Sequence, residues 1–542
     1  MNAAVDKVTV LDAMIIGAGI SGMYQLYNLR KMGLNVRAYE TATDVGGTWY
    51  WNRYPGARFD SQAEIYQYWF DEDMYKSWKP TERFPAQPET EEWLQYVADR
   101  HELKKDIQFG TRIASAHYDE ESKRWNVTTE CGEKINTKYF IPCCGMLSAP
   151  LENRFRGQRT FEGDIHHTAL WPKGGVDLKG KSVAVIGTGA TGIQVIQTIA
   201  PEVGNMKVFL RTPQYIIPMK NPKYTEEDWA YWCERYSETK EHLKQTFAGF
   251  DYDFSQKAWA DCTPEERTAL IEKRWEEGSL ALWLGGFKEI FTDEEVGEEV
   301  SKFVREKMAE RLGNDPKLCE LLIPKREDYT FGIHRVPLET NYLEAYLQDN
   351  VEIVNCKESA IEEIVPEGIK TADGKVHKVD VIIMATGFDA GSGALSRIDI
   401  RGRDNRSLKD QWNKEITSSM GMQFHGYPNM FATGAPLAPS AAFCNMTTCL
   451  QYQVNWITDC IQYMTDNGKN VIEPSKEFED GWVKHCNEVV EPTLFNKSNS
   501  WYMGSNVEGK PRGLLAYLGG VGTYHAKAKE VADKGYEGFD LA

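Results

Sequence analysis

The sequence of 542 residues lacks the features of several large protein classes. It has eleven cysteines, an odd number, and no two of them are spaced as Cys-x-x-Cys. This argues against a disulfide framework or a zinc ribbon, so we expect reduced thiols and a cytoplasmic protein. No apolar run approaches the ~18 residues of a membrane-spanning helix. The first apolar stretch is broken by Asp6, Lys7 and Asp12, which is not typical of a cleaved signal peptide.

Positive charge is scarce. The chain has 62 Lys and Arg against 80 Asp and Glu, a formal net charge of −18 at pH 7. Nucleic acids and anionic membranes bind clustered positive charge, so we expect neither as a partner. The His and acidic residues show no metal-ligand spacing, so we expect no metal. The remaining composition, 42% hydrophobic and 26% charged, is that of a globular protein with two to four domains.

A nucleotide-binding unit is predicted at the beginning of the chain. A mostly apolar strand over residues 8–16 leads into the turn GAGISG at residues 17–22, a helix of regular apolar spacing, and a second strand. In such a unit the glycines let the backbone approach a pyrophosphate at the helix N-terminus, and a carboxylate ending the second strand binds the ribose. A glycine turn without a ligand is the competing interpretation. The predicted contacts are Gly17, Gly19, Gly22 and Glu40.

A second unit follows the same pattern. A strand over residues 182–186 leads into GTGATG at residues 187–192, a helix, and a strand over residues 207–210. Arg211 stands where the first unit has Glu40, and a guanidinium binds the 2′-phosphate that a carboxylate repels. A solvated arginine is the alternative. The second site therefore suits NADP, and two dinucleotides in one chain favour NADPH-to-flavin electron transfer. The predicted contacts are Gly187, Thr188, Gly189, Thr191, Gly192, Arg211 and Thr212.

We predict an α/β fold with two Rossmann-like dinucleotide-binding domains, one for FAD and one for NADP. Residues 218–329 have helical period and several tryptophans, which indicates a helical insertion in the NADP domain. Patterns typical of strands return at residues 351–354 and 379–384, and we expect the tail beyond about residue 387 to be rich in loops. The predicted segments are 1–142 and 384–542 for the FAD domain, 143–217 and 330–383 for the NADP domain, and 218–329 for the insertion.

Two further motifs resemble the signatures of Baeyer–Villiger monooxygenases of the cyclohexanone and phenylacetone type. One is Phe-x-Gly-x3-His-x3-Trp-Pro over residues 161–172, and the other is Gly-x-Trp-x4-Tyr-Pro-Gly-x3-Asp over residues 47–60. With both glycine turns and Ala-Thr-Gly at residues 385–387, the resemblance covers nearly the whole chain. It implies NADPH- and O2-dependent oxidation of ketones, cyclic or aryl/alkyl, to lactones or esters through a C4a-peroxyflavin anion. It also implies that His167 links domains.

The resemblance assigns the catalytic pair. Arg335 is the cation that stabilises the peroxide anion and then the negative tetrahedral adduct, as an oxyanion stabiliser does. Asp60 is its carboxylate partner, and unrelated surface residues are the competing interpretation. Trp501 covers the nicotinamide, or is a core tryptophan. The further residues implied at the cofactors are Gly46, Gly47, Thr48, Trp49, Asp60, His334 and Arg335, and those implied at the substrate are Ala441, Ala442 and Phe443.

Two features depart from the family pattern. His334 stands where many relatives have a lysine that reaches the 2′-phosphate, and neutral imidazole holds a phosphate less firmly. We therefore expect the protein to prefer NADPH, but to discriminate against NADH less strongly than is usual in the family. The segment over residues 434–443 resembles a loop that lines the substrate pocket, but it is about one residue longer than in close relatives. The resemblance therefore does not tell which ketone this chain oxidises.

Three other functions compete with this one. A flavin monooxygenase that oxidises nitrogen or sulfur shares both nucleotide turns, but it has no use for an Arg335–Asp60 pair. A disulfide reductase needs the missing Cys-x-x-Cys. A non-catalytic NADPH sensor would use the same two domains as a switch. For the enzyme we expect a small-molecule ketone and O2 as partners, and a monomer or weak homodimer.

Overall fold

The computed structural model describes residues 8–152, 155–440 and 443–542. Its first part contains the predicted βαβ unit, in which β1 and β2 are parallel and α1 begins directly after Gly19. The elements in this part are β1 (Thr9–Ile16), α1 (Ile20–Lys31), β2 (Val36–Tyr39), α2 (Thr48–Trp51), α3 (Glu72–Ser77), α4 (Gln87–Arg100), β3 (Ile107–Gln108), β4 (Ile113–Asp119), β5 (Arg124–Thr129) and β6 (Lys134–Pro142).

The second βαβ unit and the helical region follow. Residues 226–322 contain helices whose N-termini are set by the sequence: Thr225 with Asp228, and Thr263 with Glu266, form capping boxes. The elements are β7 (Asp164–His167), β8 (Ser182–Ile186), α5 (Ala190–Ile199), β9 (Asn205–Leu210), β10 (Ile217–Pro218), α6 (Glu226–Glu234), α7 (Tyr236–Leu243), α8 (Pro264–Glu276), α9 (Ala281–Leu284), α10 (Glu294–Arg311) and α11 (Pro316–Leu322).

The rest of the chain returns to both sheets in turn. The elements are β11 (Leu338–Glu339), α12 (Tyr342–Ala345), β12 (Val351–Asn355), β13 (Ile361–Val365), β14 (Gly368–Thr371), β15 (Val376–Lys378), β16 (Val381–Met384), α13 (Gly393–Ser396), β17 (Asp399–Arg401), α14 (Leu408–Trp412), α15 (Met446–Asp466), β18 (Ile472–Pro474), α16 (Lys476–Val490), α17 (Val521–Asp533) and β19 (Phe539–Leu541).

Two large sheets carry the two glycine turns. The first has the order β17-β4-β5-β6-β1-β2-β3, parallel around β1 and antiparallel from β4 to β6. The second has the order β12-β9-β8-β16-β7 and is parallel throughout. The short strands β10 and β11 form a parallel pair, and in the sequence β10 precedes the helical region while β11 follows it. The fold is therefore α/β with two Rossmann-like units, as predicted, and we keep the predicted domain boundaries as a proposal.

The expectation of a loop-rich tail is wrong for residues 446–466, 476–490 and 521–533. These ranges are three long helices, of which α15 has 21 residues and packs on α1. The buried face of α15 includes Thr447, Gln451 and Gln453. These polar side chains interrupt the apolar period in the first part of the helix, but Val454, Ile457, Ile461 and Met464 follow it at helical spacing, a signal that the sequence interpretation missed. Within the described ranges, no helix is both long and apolar enough to cross a membrane.

Candidate active site

The first glycine turn has the geometry of an anion site. Gly17 has φ +102°, a conformation that side chains disfavour, and a Cβ there would lie 2.6 Å from the Cys143 carbonyl oxygen. Helix α1 has Gly19 as its N-cap, with no side-chain cap and no acidic residue in its first turn. The first N–H groups of α1 therefore have no partner from a capping side chain or from an acidic residue of the helix itself. The residues fit a pyrophosphate.

Glu40 and the loop of Gly46 and Gly47 meet at this turn. The Glu40 carboxylate is buried and accepts hydrogen bonds of 2.7 Å from the backbone N–H groups of Ala18 and Ala42. The Gly46 N–H donates to the Ala18 carbonyl oxygen at 3.0 Å. These three hydrogen bonds bring the first set of predicted cofactor residues to one place at the end of β1.

Thr48 and Trp49 continue from this loop into α2. The Trp49 indole N–H donates to the Tyr66 hydroxyl at 3.0 Å, and its ring lies edge-on to Phe59 at 5.6 Å. Since Phe59 precedes Asp60, the loop after the first turn is joined through Trp49 to the segment that carries the predicted carboxylate.

The second glycine turn repeats the geometry of the first. Gly187 has φ +104°, and α5 begins after Gly189 with no side-chain cap and no acidic residue in its first turn. A Cβ on Gly189 would meet no atom within 4 Å, whereas one on Gly192 would lie 2.1 Å from the Gly187 carbonyl oxygen. The space in front of Gly189 is therefore open toward a ligand, while Gly192 is needed for packing. These residues fit a second pyrophosphate.

The predicted phosphate residues lie beside this turn. The Thr188 hydroxyl donates to the Thr212 carbonyl oxygen at 3.2 Å. Arg211 is exposed, and within the described residues it forms no hydrogen bond or ion pair with the protein. A guanidinium with this exposure suits a 2′-phosphate.

His334 belongs to the same neighbourhood through Tyr329. The two rings stack at 4.0 Å, and the Tyr329 hydroxyl donates to the Pro213 carbonyl oxygen at 2.9 Å. Burial lowers the pKa of His334 to about 4. Its imidazole is therefore neutral at pH 7, so that Arg211, rather than His334, supplies positive charge here.

Two residues of the family motifs meet where β16 ends. His167 Nε2 lies 3.4 Å from the Thr386 hydroxyl, and its Nδ1 accepts from the Ala169 N–H at 3.1 Å. Burial lowers the pKa of His167 to about 4, although a backbone hydrogen bond with Gly387 opposes the shift. A neutral histidine that joins two chain segments fits the linker interpretation.

Arg335 and Asp60 form an ion pair across the two halves of the chain. Arg335 Nη2 donates to Asp60 Oδ2 at 2.8 Å. The Arg335 side chain keeps 27% of its surface exposed against 4% for Asp60. Asp60 Oδ1 is buried and has no hydrogen-bond partner among the described residues. The expected pair is therefore present in the structure, and the alternative of two separate surface residues is wrong.

The electrostatics of this pair favour a permanent cation. Burial lowers the pKa of Arg335, but the Asp60 carboxylate and nearby Tyr502 outweigh it, and the net pKa is raised. Burial raises the pKa of Asp60 more than Arg335 and Arg58 lower it. Removing Arg335 would leave the charge of Asp60 buried without its ion-pair partner.

Aromatic side chains crowd the approach to Arg335. Phe443 is buried, with ring centroids 4.9 Å from Tyr502, 5.0 Å from Phe495 and 5.8 Å from Trp283. Trp501 is half-buried and edge-on to Tyr502 at 4.5 Å. Ala441 and Ala442, predicted with Phe443 at the substrate, lie outside the described residues.

Sequence reasoning missed the polar residues that support this arrangement. Tyr502 is fully buried, and its hydroxyl has no hydrogen-bond partner within the described part of the chain. Tyr54, inside a motif that was recognised, donates to Gln194 of α5 at 2.8 Å. Only the Tyr-Pro-Gly string at residues 54–56 could have drawn attention to Tyr54, since a hydrogen bond between residues 140 positions apart leaves no local pattern.

Two glycine turns on separate sheets, with an ion pair that joins the two units, define a flavoprotein oxidoreductase with two dinucleotide sites. Residues 11–220 match the family model of flavin-binding monooxygenase-like proteins. The chain is 58% identical over 534 residues to an acetone monooxygenase (methyl acetate-forming) from Gordonia sp. (strain TY-5), covering 98% of this chain and 99% of that protein.

Solved structures give the same result. The chain is similar to cyclohexanone monooxygenase from Rhodococcus sp. Phi1 bound to NADP+, with a TM-score of 0.95, 38% identity and 99% of both chains covered. It is also similar to a complex of OTEMO with FAD and NADP, with a TM-score of 0.94, 37% identity, and 99% and 100% of the two chains covered.

The chain belongs to the Baeyer–Villiger monooxygenase family. It is a flavin-dependent oxidoreductase that uses FAD and NADP(H) and oxidises ketones. The resemblance drawn from the two sequence motifs is thereby confirmed, and the rival oxidations of nitrogen or sulfur are set aside.

Proposed function

We propose that this enzyme inserts one oxygen atom of O2 beside the carbonyl of small ketones, with acyclic methyl ketones such as acetone as its best substrates. The observation that carries the reaction is the Arg335–Asp60 ion pair at 2.8 Å, in which the Arg335 side chain is 27% exposed. The similarity to an acetone-oxidising relative, 58% against 37–38% for the cyclohexanone enzymes, supports the choice of ketone.

Both cofactors have a proposed place on the chain. When bound, NADPH supplies the hydride that reduces FAD, and reduced FAD supplies the reaction with O2 that oxidises the ketone. The turn at residues 17–22 holds the FAD pyrophosphate, with Glu40 at the ribose and residues 46–49 and Asp60 alongside. The turn at residues 187–192 holds NADP, with Arg211 and Thr212 at the 2′-phosphate. Thr188 and Thr191 line this second turn, and His334 lies behind it.

Arg335 has the central role among the protein groups. Its permanent positive charge stabilises the negative charge that develops on oxygen as the carbonyl is attacked. Asp60 holds the guanidinium in place by a charge-assisted hydrogen bond. Lysine would be a poor replacement, because it offers a point charge without the planar fork.

The aromatic side chains limit the size of the ketone. Phe443, Tyr502 and Phe495 have ring centroids 4.9 to 6.3 Å from one another, and Tyr502 lies close enough to Arg335 to affect its pKa. We place the substrate against Phe443, with Ala441 and Ala442 completing its pocket and Trp501 shielding the nicotinamide. A small ketone is accommodated there without displacing the rings.

A ketone panel tests this proposal. The FAD-loaded enzyme is given NADPH, O2 and, in turn, acetone, 2-butanone, cyclopentanone, cyclohexanone or acetophenone. We expect products with one added oxygen and the highest kcat/KM with acetone or 2-butanone. A clear preference for cyclohexanone or acetophenone would contradict the assigned substrate size, and no ester from any ketone would contradict the reaction.

The setting of the enzyme is also proposed. All eleven cysteines are free thiols, which suits a reducing compartment, so we place the enzyme in the cytoplasm. We expect a monomer or a weak homodimer. Light scattering across a protein dilution series checks the oligomeric state.

A further inference from the structure

Helix α5 holds the loop that carries Asp60. The Tyr54 hydroxyl donates to Gln194 Oε1 at 2.8 Å, and Gln194 Nε2 donates to the Arg58 carbonyl oxygen at 2.9 Å. Gln194 is only 4% exposed, and Tyr54 is buried as well. One glutamine side chain therefore fastens the loop at two points, in a place where water does not compete for its hydrogen bonds.

The same loop is pressed directly onto the helix. A Cβ at Gly56, whose φ is +81°, would lie 2.2 Å from the Thr198 hydroxyl and 2.5 Å from the Gln194 carbonyl oxygen. Only glycine allows this approach. The segment from Tyr54 to Asp60 thus has a fixed position relative to α5.

One turn further along, α5 holds the segment that carries Arg335. Gln197 Oε1 accepts hydrogen bonds from the backbone N–H groups of Thr340 at 2.9 Å and Asn341 at 3.4 Å. Gln194 and Gln197 are three residues apart, so they are neighbours on one face of the helix. Adjacent glutamines therefore hold the two segments whose side chains form the ion pair.

The N-terminus of this helix is the site assigned to the NADP pyrophosphate. Its glycine turn, with the open space before Gly189, ends two residues before Gln194. A ten-residue helix moves as a rigid body, so a ligand that orders its first turn also orders its next two turns.

We propose that Gln194 and Gln197 are positioning residues through which NADP binding sets the relative position of Asp60 and Arg335. Neither glutamine touches the reacting atoms. Each transmits the position of α5 to one member of the pair. This inference rests on the proposed function, because it takes Arg335 and Asp60 as the catalytic pair.

Hydrogen exchange in the FAD-loaded protein tests the two connections separately. In the parent enzyme we expect added NADP+ to slow amide exchange in residues 54–60 and 335–341 at least about threefold. Gln194→Met should abolish the effect in the first segment only, and Gln197→Met in the second only. The matched control is Gln411→Met, since Gln411 is a half-buried glutamine that bonds Thr417 within the second part of the FAD domain.

Two results would overturn the inference: NADP+ slows neither segment in the parent enzyme, or both segments respond fully in both glutamine variants. If Gln194→Met does not fold, Tyr54→Phe removes one of the same hydrogen bonds from the other side and serves in its place. Among the described residues, the Gln197 side chain acts as a hydrogen-bond acceptor. Gln197→Glu keeps an acceptor oxygen and should therefore protect residues 335–341 as the parent does, in contrast to Gln197→Met. If Gln197 only filled space, the two variants would behave alike.

Kinetics supply a second measurement. In both methionine variants we expect ester formed per NADPH consumed to fall about threefold or more, while the KM for NADPH stays within about twofold, because the cofactor contacts themselves are intact. If the KM for NADPH instead rises about threefold or more while ester formed per NADPH stays unchanged, the glutamines act in cofactor binding and the positioning role is overturned.

Failure of this inference is distinguishable from failure of the proposed function. If Arg335→Ala still makes ester, the catalytic assignment fails, whatever the exchange pattern shows. If Arg335→Ala is inactive but NADP+ slows exchange in both segments of both glutamine variants as it does in the parent enzyme, the positioning role alone fails.

Discussion

At the scale of single residues, the chemistry depends on one guanidinium. We expect Arg335→Ala to keep NADPH-dependent reduction of FAD but to lower ester formation at least about 100-fold, because the oxyanion loses its stabilising charge. Stopped-flow absorbance of the flavin and product analysis measure the two steps. Arg305→Ala is the matched control, since Arg305 is also partly buried and paired, with Glu298 on α10. Ester at the parent rate would remove Arg335 from its assigned role.

Arg211 is expected to distinguish the two nicotinamide cofactors. Arg211→Ala should raise the KM for NADPH about 10-fold or more and leave the KM for NADH nearly unchanged, since only NADPH carries the 2′-phosphate. Steady-state kinetics with both cofactors measure this. Arg235→Ala, at an arginine that stacks on Tyr231 in the helical insertion, serves as the control. Equal rises with both cofactors would show that Arg211 does not contact the phosphate.

His334 is expected to limit this discrimination. With its pKa lowered to about 4, it adds no charge at pH 7. His334→Lys should therefore lower the KM for NADPH a few-fold relative to the KM for NADH. The substitution also removes the stacking on Tyr329, so thermal unfolding is measured to show that the variant is folded. An unchanged ratio of the two KM values in a folded variant would place His334 away from the phosphate.

At the scale of an element, the N-terminus of α5 separates binding from stability. Gly189→Ala places a methyl group in open space, so we expect an unchanged unfolding temperature but a KM for NADPH raised about 10-fold or more. Gly192→Ala places its methyl group 2.1 Å from the Gly187 carbonyl oxygen and should lower the unfolding temperature as well. Calorimetry and kinetics on the two variants measure this contrast. Normal NADPH binding by Gly189→Ala would show that no pyrophosphate lies there.

At the scale of the whole molecule, a buried carboxyl pair makes the contact between the first domain and the helical insertion sensitive to pH. Tyr224 donates its hydroxyl to Glu64, and Gln62 donates to Asp251 at 3.0 Å. Burial raises the pKa of Glu64 to about 8, and the charge of Asp251 adds to the effect. Burial also raises the pKa of Asp251. Arg83 is the cation that opposes both shifts, and His242 also faces Asp251.

The sign of the resulting pH dependence follows from linkage. Between the unfolded pKa of 4.5 and about 8, the folded chain keeps a proton on Glu64 that the unfolded chain has lost, so this contribution to stability is full below pH 4.5 and declines toward pH 8. We expect Glu64→Gln to reduce the fall in unfolding temperature between pH 5.5 and 8 by about 2–5 °C. Exposed Glu226→Gln is the control. Parallel curves for parent and variant would contradict the shift.

The sequence predicted the two nucleotide units well because their signals are local. Glycine turns, strand ends and helix period lie within about thirty residues of each other, and the residues assigned from them meet as expected around Glu40 and Thr212. The helices after residue 446 were missed in part for the opposite reason. In the first part of α15, buried polar side chains that bond distant segments, such as Gln451 to Gln67, interrupt the apolar period, whereas Val454, Ile457, Ile461 and Met464 mark its second part at helical spacing.

The sequence by itself determined what kinds of chemistry are possible: which turns can hold dinucleotides, which strand end has a guanidinium instead of a carboxylate, and which motifs match a family. Tertiary structure alone decided which of these residues act together. Asp60 and Arg335 are 275 positions apart, and α5 holds the segments of both. Such partnerships arise when separate units pack and exclude water, and the strength of their charges and hydrogen bonds depends on that burial.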